Sequence, residues 1–570
     1  MEKKTNYISD QLTHISVRIW KSKWYQILLF SLATFITLNL LGYYFGSFDQ
    51  AIHIPFLKKY ADPSLYPYDS FLDLRQYHYS FFWFLFIPFY KAGILEISMF
   101  VVYVAIIYFT FYALWKLSKT LFNNPLVSFL TVFIFIIPHI GFSGFTVFEF
   151  SLLNRTFILP FLLIAIDLYL NKRSTLAFFI LGLMYNIHVI SVNFILCMLL
   201  FDSLVNIKRI GIKTFFINIL IFIAGALPVL IWRMQSAPVQ ITANWEWFKT
   251  ISDGMLYHLF YFLGNNPVLP IITFGGISCL VLFFIAKRGL VKNIYHKTIT
   301  NFILACCLIL LSVVITSYFY PSVIIIESQI VRAGIYILIF SYLYFTGYVV
   351  ELFQTKKITK ESFYLLIAAL IFSLSPIALL IVWLVQKFSS PKYRLAVSLL
   401  TIGSCFLLIL FVSLKLDLWH PGVHIFPVKS PLYEVELWAK NNTTKNSVFI
   451  IPPQLWWFYT PDWRAMSERS ALVTFYDLLE ISFAPNYLEF WKRRFNDLTK
   501  NQSNNFRGNV FTNLQLTKRA YYERTSEDFM LLAKKYDISY LLSEKPYYYN
   551  LPIVYQNSEF ILYDVRHPAY

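Results

Sequence analysis

From Trp24 to Phe45 the chain runs for about 22 residues almost without a charge, long enough to cross a bilayer as a helix. Comparable apolar blocks recur near 96–115, 125–140, 154–170, 174–188, 189–206, 212–232, 267–286, 299–318, 329–352 and 395–415. Two shorter ones flank Ser373-Leu374-Ser375-Pro376, whose turn chemistry predicts a hairpin. The segments 80–92 and 251–264 are apolar but too short to span, which suits helices lying in the membrane interface. Beyond about residue 415 the unbroken runs give way to shorter periods. A helix is expected over Leu432–Asn441, a buried strand over Ser447–Ile451, a helix over Thr525–Tyr536, and strands over Ile538–Leu542 and Phe560–Tyr563.

The predicted fold is therefore an all-α polytopic membrane domain with a small C-terminal α/β domain. Its parts are a basic N-terminus (1–23), a transmembrane domain (24–415) whose first outer loop is 46–95, and an outer domain (416–570). The placement of basic residues orients it. Lys116 and Lys119, Lys172 and Arg173, Lys208 to Lys213, Lys287 to Lys297, Lys356 to Lys360 and Lys387 to Arg394 fall in alternate loops, on one side with Lys3, Lys4, Arg18, Lys21 and Lys23. By the positive-inside rule that side is cytoplasmic, which gives about 13 spans and an extracytoplasmic C-terminal domain in a bacterial cytoplasmic (inner) membrane. A single span over 361–386 would instead turn the tail inward.

Composition removes the alternatives. Of 570 residues 58% are hydrophobic and 14% charged, against about a quarter charged in soluble proteins, so a cytosolic enzyme and a disordered chain are excluded. The net charge of +17 follows from the cytoplasmic loops and is no sign of nucleic-acid binding. Cys197, Cys279, Cys306, Cys307 and Cys405 lie inside apolar runs with no Cys-x-x-Cys spacing, so neither a disulfide framework nor a zinc site is expected.

Charges at the outer ends of spans carry the chemistry, because an ionisable group at membrane depth is costly and is retained for function. Asp49 and His53 follow the first span, Glu149 and Arg155 flank the fourth, His188 sits at a turn and Arg332 lies just inside a later span. All fall at one outer level. Taken singly each has an ordinary reading: an ion pair for Glu149 and Arg155, a solvated loop acid for Asp49, a carbonyl partner for His188. Together, acids, arginines and histidines suit a site that handles a phosphate and a reacting hydroxyl, since Arg offers a bidentate fork to phosphate and a carboxylate can act as a base. Trp456 and Trp457, with Tyr459 and Trp463, are candidates for stacking on a sugar or for packing at the interface.

This layout resembles the GT-C superfamily of membrane glycosyltransferases, which includes protein mannosyltransferases, aminoarabinose transferases and oligosaccharyltransferase catalytic subunits. The shared features are a first span leading to an outer loop that opens with an acid (Asp49), a second outer loop with another (Glu149), and a C-terminal outer domain. Ile52-His-Ile-Pro-Phe56 and Asp62-Pro-Ser-Leu65 more closely resemble a poorly characterised bacterial branch.

The resemblance implies an inverting transfer of a sugar from a polyprenyl-phosphate donor to an acceptor hydroxyl on a glycan, lipid or protein. It gives Asp49 the role of catalytic base, Glu149 that of a catalytic acid holding a metal or the acceptor, and Arg332 and His188 that of phosphate ligands, with His53, Arg155, Trp456 and Trp457 contacting substrate. The paired acids often seen in the first loop are absent, since His53 stands four residues after Asp49, which leaves a divalent metal such as magnesium or manganese open. The rival classes are a flippase or transporter of lipid-linked sugars and a noncatalytic scaffold of envelope glycan assembly.

Overall fold

The computed structural model describes residues 2–139, 146–236, 245–254, 268–290, 293–320, 322–415, 419–454 and 462–566. Among these, six helices are long and apolar enough to cross a membrane: Lys23–Leu41, Leu95–Phe122, Ile212–Gln235, His296–Thr316, Ile330–Gln354 and Pro391–Lys415. Further apolar helices, Pro125–Ile136, Ser174–Tyr185, Val189–Val205 and Pro376–Phe388, are shorter. At 1.5 Å per residue, a helix of 12 or 13 residues covers about 20 Å of a hydrocarbon core about 30 Å thick. Length and composition thus support a membrane protein with six such helices, fewer than the span count read from basic loops.

The hairpin at Pro376 is present as a break between Lys360–Phe372 and Pro376–Phe388, with Leu374 in the left-handed region (φ 57°) and Ser375 capping the second helix through Ile377 N–H. Of the two interfacial segments, 80–92 contains the short helices Trp83–Phe86 and Ile87–Lys91, while 255–264 of the other lies outside the described residues. Asp49–Ala61, expected as loop, is a helix containing Pro55.

The C-terminal domain, expected to lie outside, contains a five-stranded mixed sheet in the order Ser470–Ala471, Val448–Ile450, Tyr540–Glu544, Phe560–Asp564, Ile553–Gln556. The first three strands pair parallel and the last two antiparallel. Helices Pro431–Asn442, Tyr487–Thr499, Val510–Tyr522 and Ser526–Tyr536 belong to the same domain; of these only the first and last were apparent from periodicity.

Four contacts hold this domain against the end of the first long helix and the loop that follows it. Tyr43–Tyr44, just after the first spanning helix, pairs parallel with Val423–His424, just after the last, so both chain segments leave the bundle at one level. The indole N–H of Trp419 adds a bond to the Leu40 carbonyl at 2.7 Å. Phe56 and Phe71 of the loop pack in one apolar core with Ile450, Trp491 and Phe495 of the domain. At the seam lies Arg464, fully buried, donating to Asp69 of the loop at 2.6 Å and to Asp477 at 2.8 Å. A buried ion pair of this kind is weak evidence for stability but fixes register, because breaking it strands a charge.

Candidate active site

Backbone contacts bring the segment after the first long helix and the segment before Asn154 together before any charge is considered. Tyr44 N–H donates to the Phe150 carbonyl at 3.0 Å, and Gln50 spans the two loops, accepting from Gly46 N–H and donating to the Leu152 carbonyl, each at 2.8 Å. The rings of Phe48 and Phe150 meet at 4.4 Å. Phe48 itself has φ 52° and ψ −134°, a backbone region sparsely populated by non-glycine residues, and this turn sets Asp49 at the first position of its helix. There the helix dipole favours a negative charge.

Arg155, one residue into Asn154–Leu170, then reaches both acids. Its Nε and one terminal nitrogen donate to the two oxygens of Glu149 at 2.6 Å, and its other terminal nitrogen donates to Asp49 at 2.5 Å. Burial alone would raise the Asp49 carboxyl, but Arg155 and then Arg332 hold it well below the usual carboxylate range. Asp49 is therefore an ionised hydrogen-bond acceptor and a weak proton acceptor. Burial, followed by the neighbouring His78, pushes the His53 imidazole down to about 3, so it stays neutral. Its ring stacks on Trp83 at 4.8 Å. His188 caps the helix Val189–Val205, its Nδ1 accepting from Ser191 N–H at 3.2 Å.

These residues share one cavity of about 2630 Å³, lined by Asp49, His53, Glu149, Arg155, His188 and Arg332. It is well above the ~300–1,000 Å³ of a typical small-ligand pocket. The six grouped from sequence are thus brought together; Trp456 and Trp457 lie outside the described residues. The same cavity is also lined by the apolar side chains of Leu40, Ile136, Phe372, Ile381, Leu408 and Val412. These belong to the helices Lys23–Leu41, Pro125–Ile136, the two hairpin helices and Pro391–Lys415. The last is the most exposed of the six long helices, with Leu400, Leu407 and Phe411 facing outward, as expected where a helix meets lipid.

Four further groups in the cavity gave no signal in the sequence. His78, on the first outer loop, pairs with Glu480 of the outer domain. Arg233 and Glu327 line the cavity as well, and burial pushes the Glu327 carboxyl up to about 7, partly offset by Arg233. His78 and Glu480 are 402 positions apart, and no local spacing rule connects them.

The donor set does not suit a divalent ion. The Arg155 guanidinium already binds the carboxylates of Asp49 and Glu149, where a cation would have to sit. Among the described residues no three His, Cys, Asp or Glu side chains converge as metal ligands.

No family model matches the sequence, and a search of curated proteins finds no match. The fold is similar to crystal structures of the Archaeoglobus fulgidus oligosaccharyltransferase. The apo form matches at a TM-score of 0.46 and 11% identity, over 92% of this chain and 70% of the archaeal one. The complex with Zn and sulfate matches at 0.39 and 11%, over 90% and 68%.

Proposed function

We propose that the chain is an inverting membrane glycosyltransferase that moves a sugar from a polyprenyl-phosphate donor to an acceptor hydroxyl, at the outer face of a bacterial inner membrane. The observation that carries this reading is the cavity, whose lining combines two arginines and two acids with apolar side chains from long or apolar helices. An amphiphile with an anionic head and a long apolar tail fits that lining. In this reading the tail lies along the apolar side chains, and Arg332 meets the phosphate and offsets the charge that builds on it as the anomeric C–O bond breaks. Arg155 keeps Asp49 ionised and aimed, so that Asp49 accepts a hydrogen bond from the attacking hydroxyl and orients it opposite the leaving phosphate. Glu149 fixes Arg155, and the neutral imidazoles of His53 and His188 offer hydrogen bonds to the sugar. Trp456 and Trp457 are proposed as sugar contacts. No step uses a metal.

A flippase would also need a cavity for a lipid-linked sugar. The Asp49–Arg155–Glu149 cluster and the outer domain's contribution to the wall favour chemistry over transit, since substrate transporters set their sites near the midplane between repeated halves. The test is transfer of labelled sugar from polyprenyl-phosphate sugars by the purified chain in nanodiscs, comparing the wild type with Arg332→Ala. Formation of an inverted glycoside by the wild type, lost in the variant, supports the reading. Movement of the donor between leaflets without any glycoside would replace it with the flippase.

A further inference from the structure

We infer that His78, oriented by Glu480 of the outer domain, is the group that takes the proton from the acceptor hydroxyl. The inference rests on the transferase reading above and supplies the base which that reading lacks. His78 Nε2 meets a Glu480 carboxylate oxygen, and the Glu480 side chain is 2% exposed. A carboxylate only accepts, so Nε2 carries the hydrogen, and in the neutral ring Nδ1 carries the lone pair. Nδ1 has no hydrogen-bond partner among the described residues, and His78 lines the cavity. The ring is held in place by Phe56 at 5.1 Å and Phe483 at 5.5 Å. Glu480 ends the short helix that begins at Asp477, which Arg464 clamps. The base–orienter geometry is therefore built from buried parts.

Three other candidate bases in the cavity are occupied, while the Nδ1 of His53 is buried without a partner among the described residues and Glu327 has Arg233 beside it. Asp49 and Glu149 are bound to Arg155, and His188 Nδ1 is used by Ser191. His53 lies 5.2 Å from His78, ring to ring, and has Trp83 over its face instead of a carboxylate on its nitrogen. Among the described residues, only His78 of this set has a carboxylate bonded directly to a ring nitrogen, where it stabilises the imidazolium formed on proton transfer. In the step, the acceptor O–H bond breaks and its proton passes to His78 Nδ1. The oxygen forms a bond to the anomeric carbon, whose bond to the phosphate oxygen breaks, the electron pair leaving with the lipid phosphate. The imidazolium returns its proton to water at the cavity mouth.

The experiment uses the full chain in nanodiscs, with lipid-linked sugars and membrane acceptor extracted from host cells, the sugars labelled by growth on heavy-carbon glucose, and thermal melting recorded for each variant. His78→Gln should lower turnover by about 10²- to 10⁴-fold, the usual worth of a general base. Glu480→Gln, acting through His78, should lower it less, and the double variant should be no slower than His78→Gln. Added imidazole should restore part of the rate to His78→Gly and none to Glu480→Gln. A packing role for His78 would not respond to imidazole. Wild-type turnover by His78→Gln would overturn the assignment while leaving the transferase standing, as would additive losses in the double variant. Absence of any labelled glycoside from the wild type would instead remove the transferase reading and this inference with it.

Discussion

Arg155 spends its whole fork on two carboxylates, so neither acid is available to a cation and Asp49 is held ionised. Two outcomes follow at this cluster. Asp49→Asn keeps the shape but loses the charge that orients the hydroxyl, and should lower turnover by about 10²-fold or more with an unchanged melting temperature. Chelation by EDTA should leave transfer unaltered; a loss restored by magnesium or manganese would show that Arg155 yields its place to a metal. For the phosphate, Arg332→Ala should cost about 10²- to 10³-fold in kcat, and Arg332→Lys should recover part of it, because Lys keeps the charge without the planar fork. Equal loss of folded protein in both variants would make Arg332 structural.

The elements divide sharply in how far the sequence announced them. Apolar blocks marked the six long helices, five of them to within four residues at each end, although they also predicted about 13 spans, and Ser375 and Pro376 marked the hairpin through cap and turn chemistry. Asp49, His53, Glu149, Arg155, His188 and Arg332 were identifiable because charge at membrane depth is rare. The helix Asp49–Ala61 was hidden by Pro55 and by a surface buried on many sides, which erases amphipathic periodicity. His78 and Glu480 were hidden because tertiary contact between outer loop and outer domain creates the pair.

The same seam holds Glu436, whose two carboxylate oxygens are buried and without a hydrogen-bond partner among the described residues. Burial, then Asp462, raises its carboxyl well above the ordinary value of 4.5, with Lys58 opposing. A folded-state value above the unfolded one means that stability is fully present below about pH 4.5 and is lost as pH rises toward the folded value. Glu436→Gln should therefore melt with the wild type in acid and a few degrees above it at neutral pH. Arg464→Ala should do the reverse at neutral pH, destabilising by about 3–5 kcal/mol by stranding Asp69 and Asp477.

Across the molecule, the parallel pairing of Tyr43–Tyr44 with Val423–His424 puts the cluster and the outer domain on one side of the bundle. The placement of basic loops predicts that this side is extracytoplasmic. A reporter after Tyr570 and a tag near Asn501 should both report outside, and cytoplasmic labelling of both would turn the outer domain inward. The account as a whole stands on sugar leaving a lipid phosphate for a hydroxyl. Mass spectrometry of lipid-linked sugars and envelope glycans, in host cells with the gene, without it, and restored with Arg332→Ala, reads that event in place. Loss of the gene should cause one lipid-linked sugar to accumulate and one glycan to lack that sugar, with the wild type restoring both and Arg332→Ala restoring neither. Unchanged glycans after deletion, or full restoration by Arg332→Ala, would contradict it.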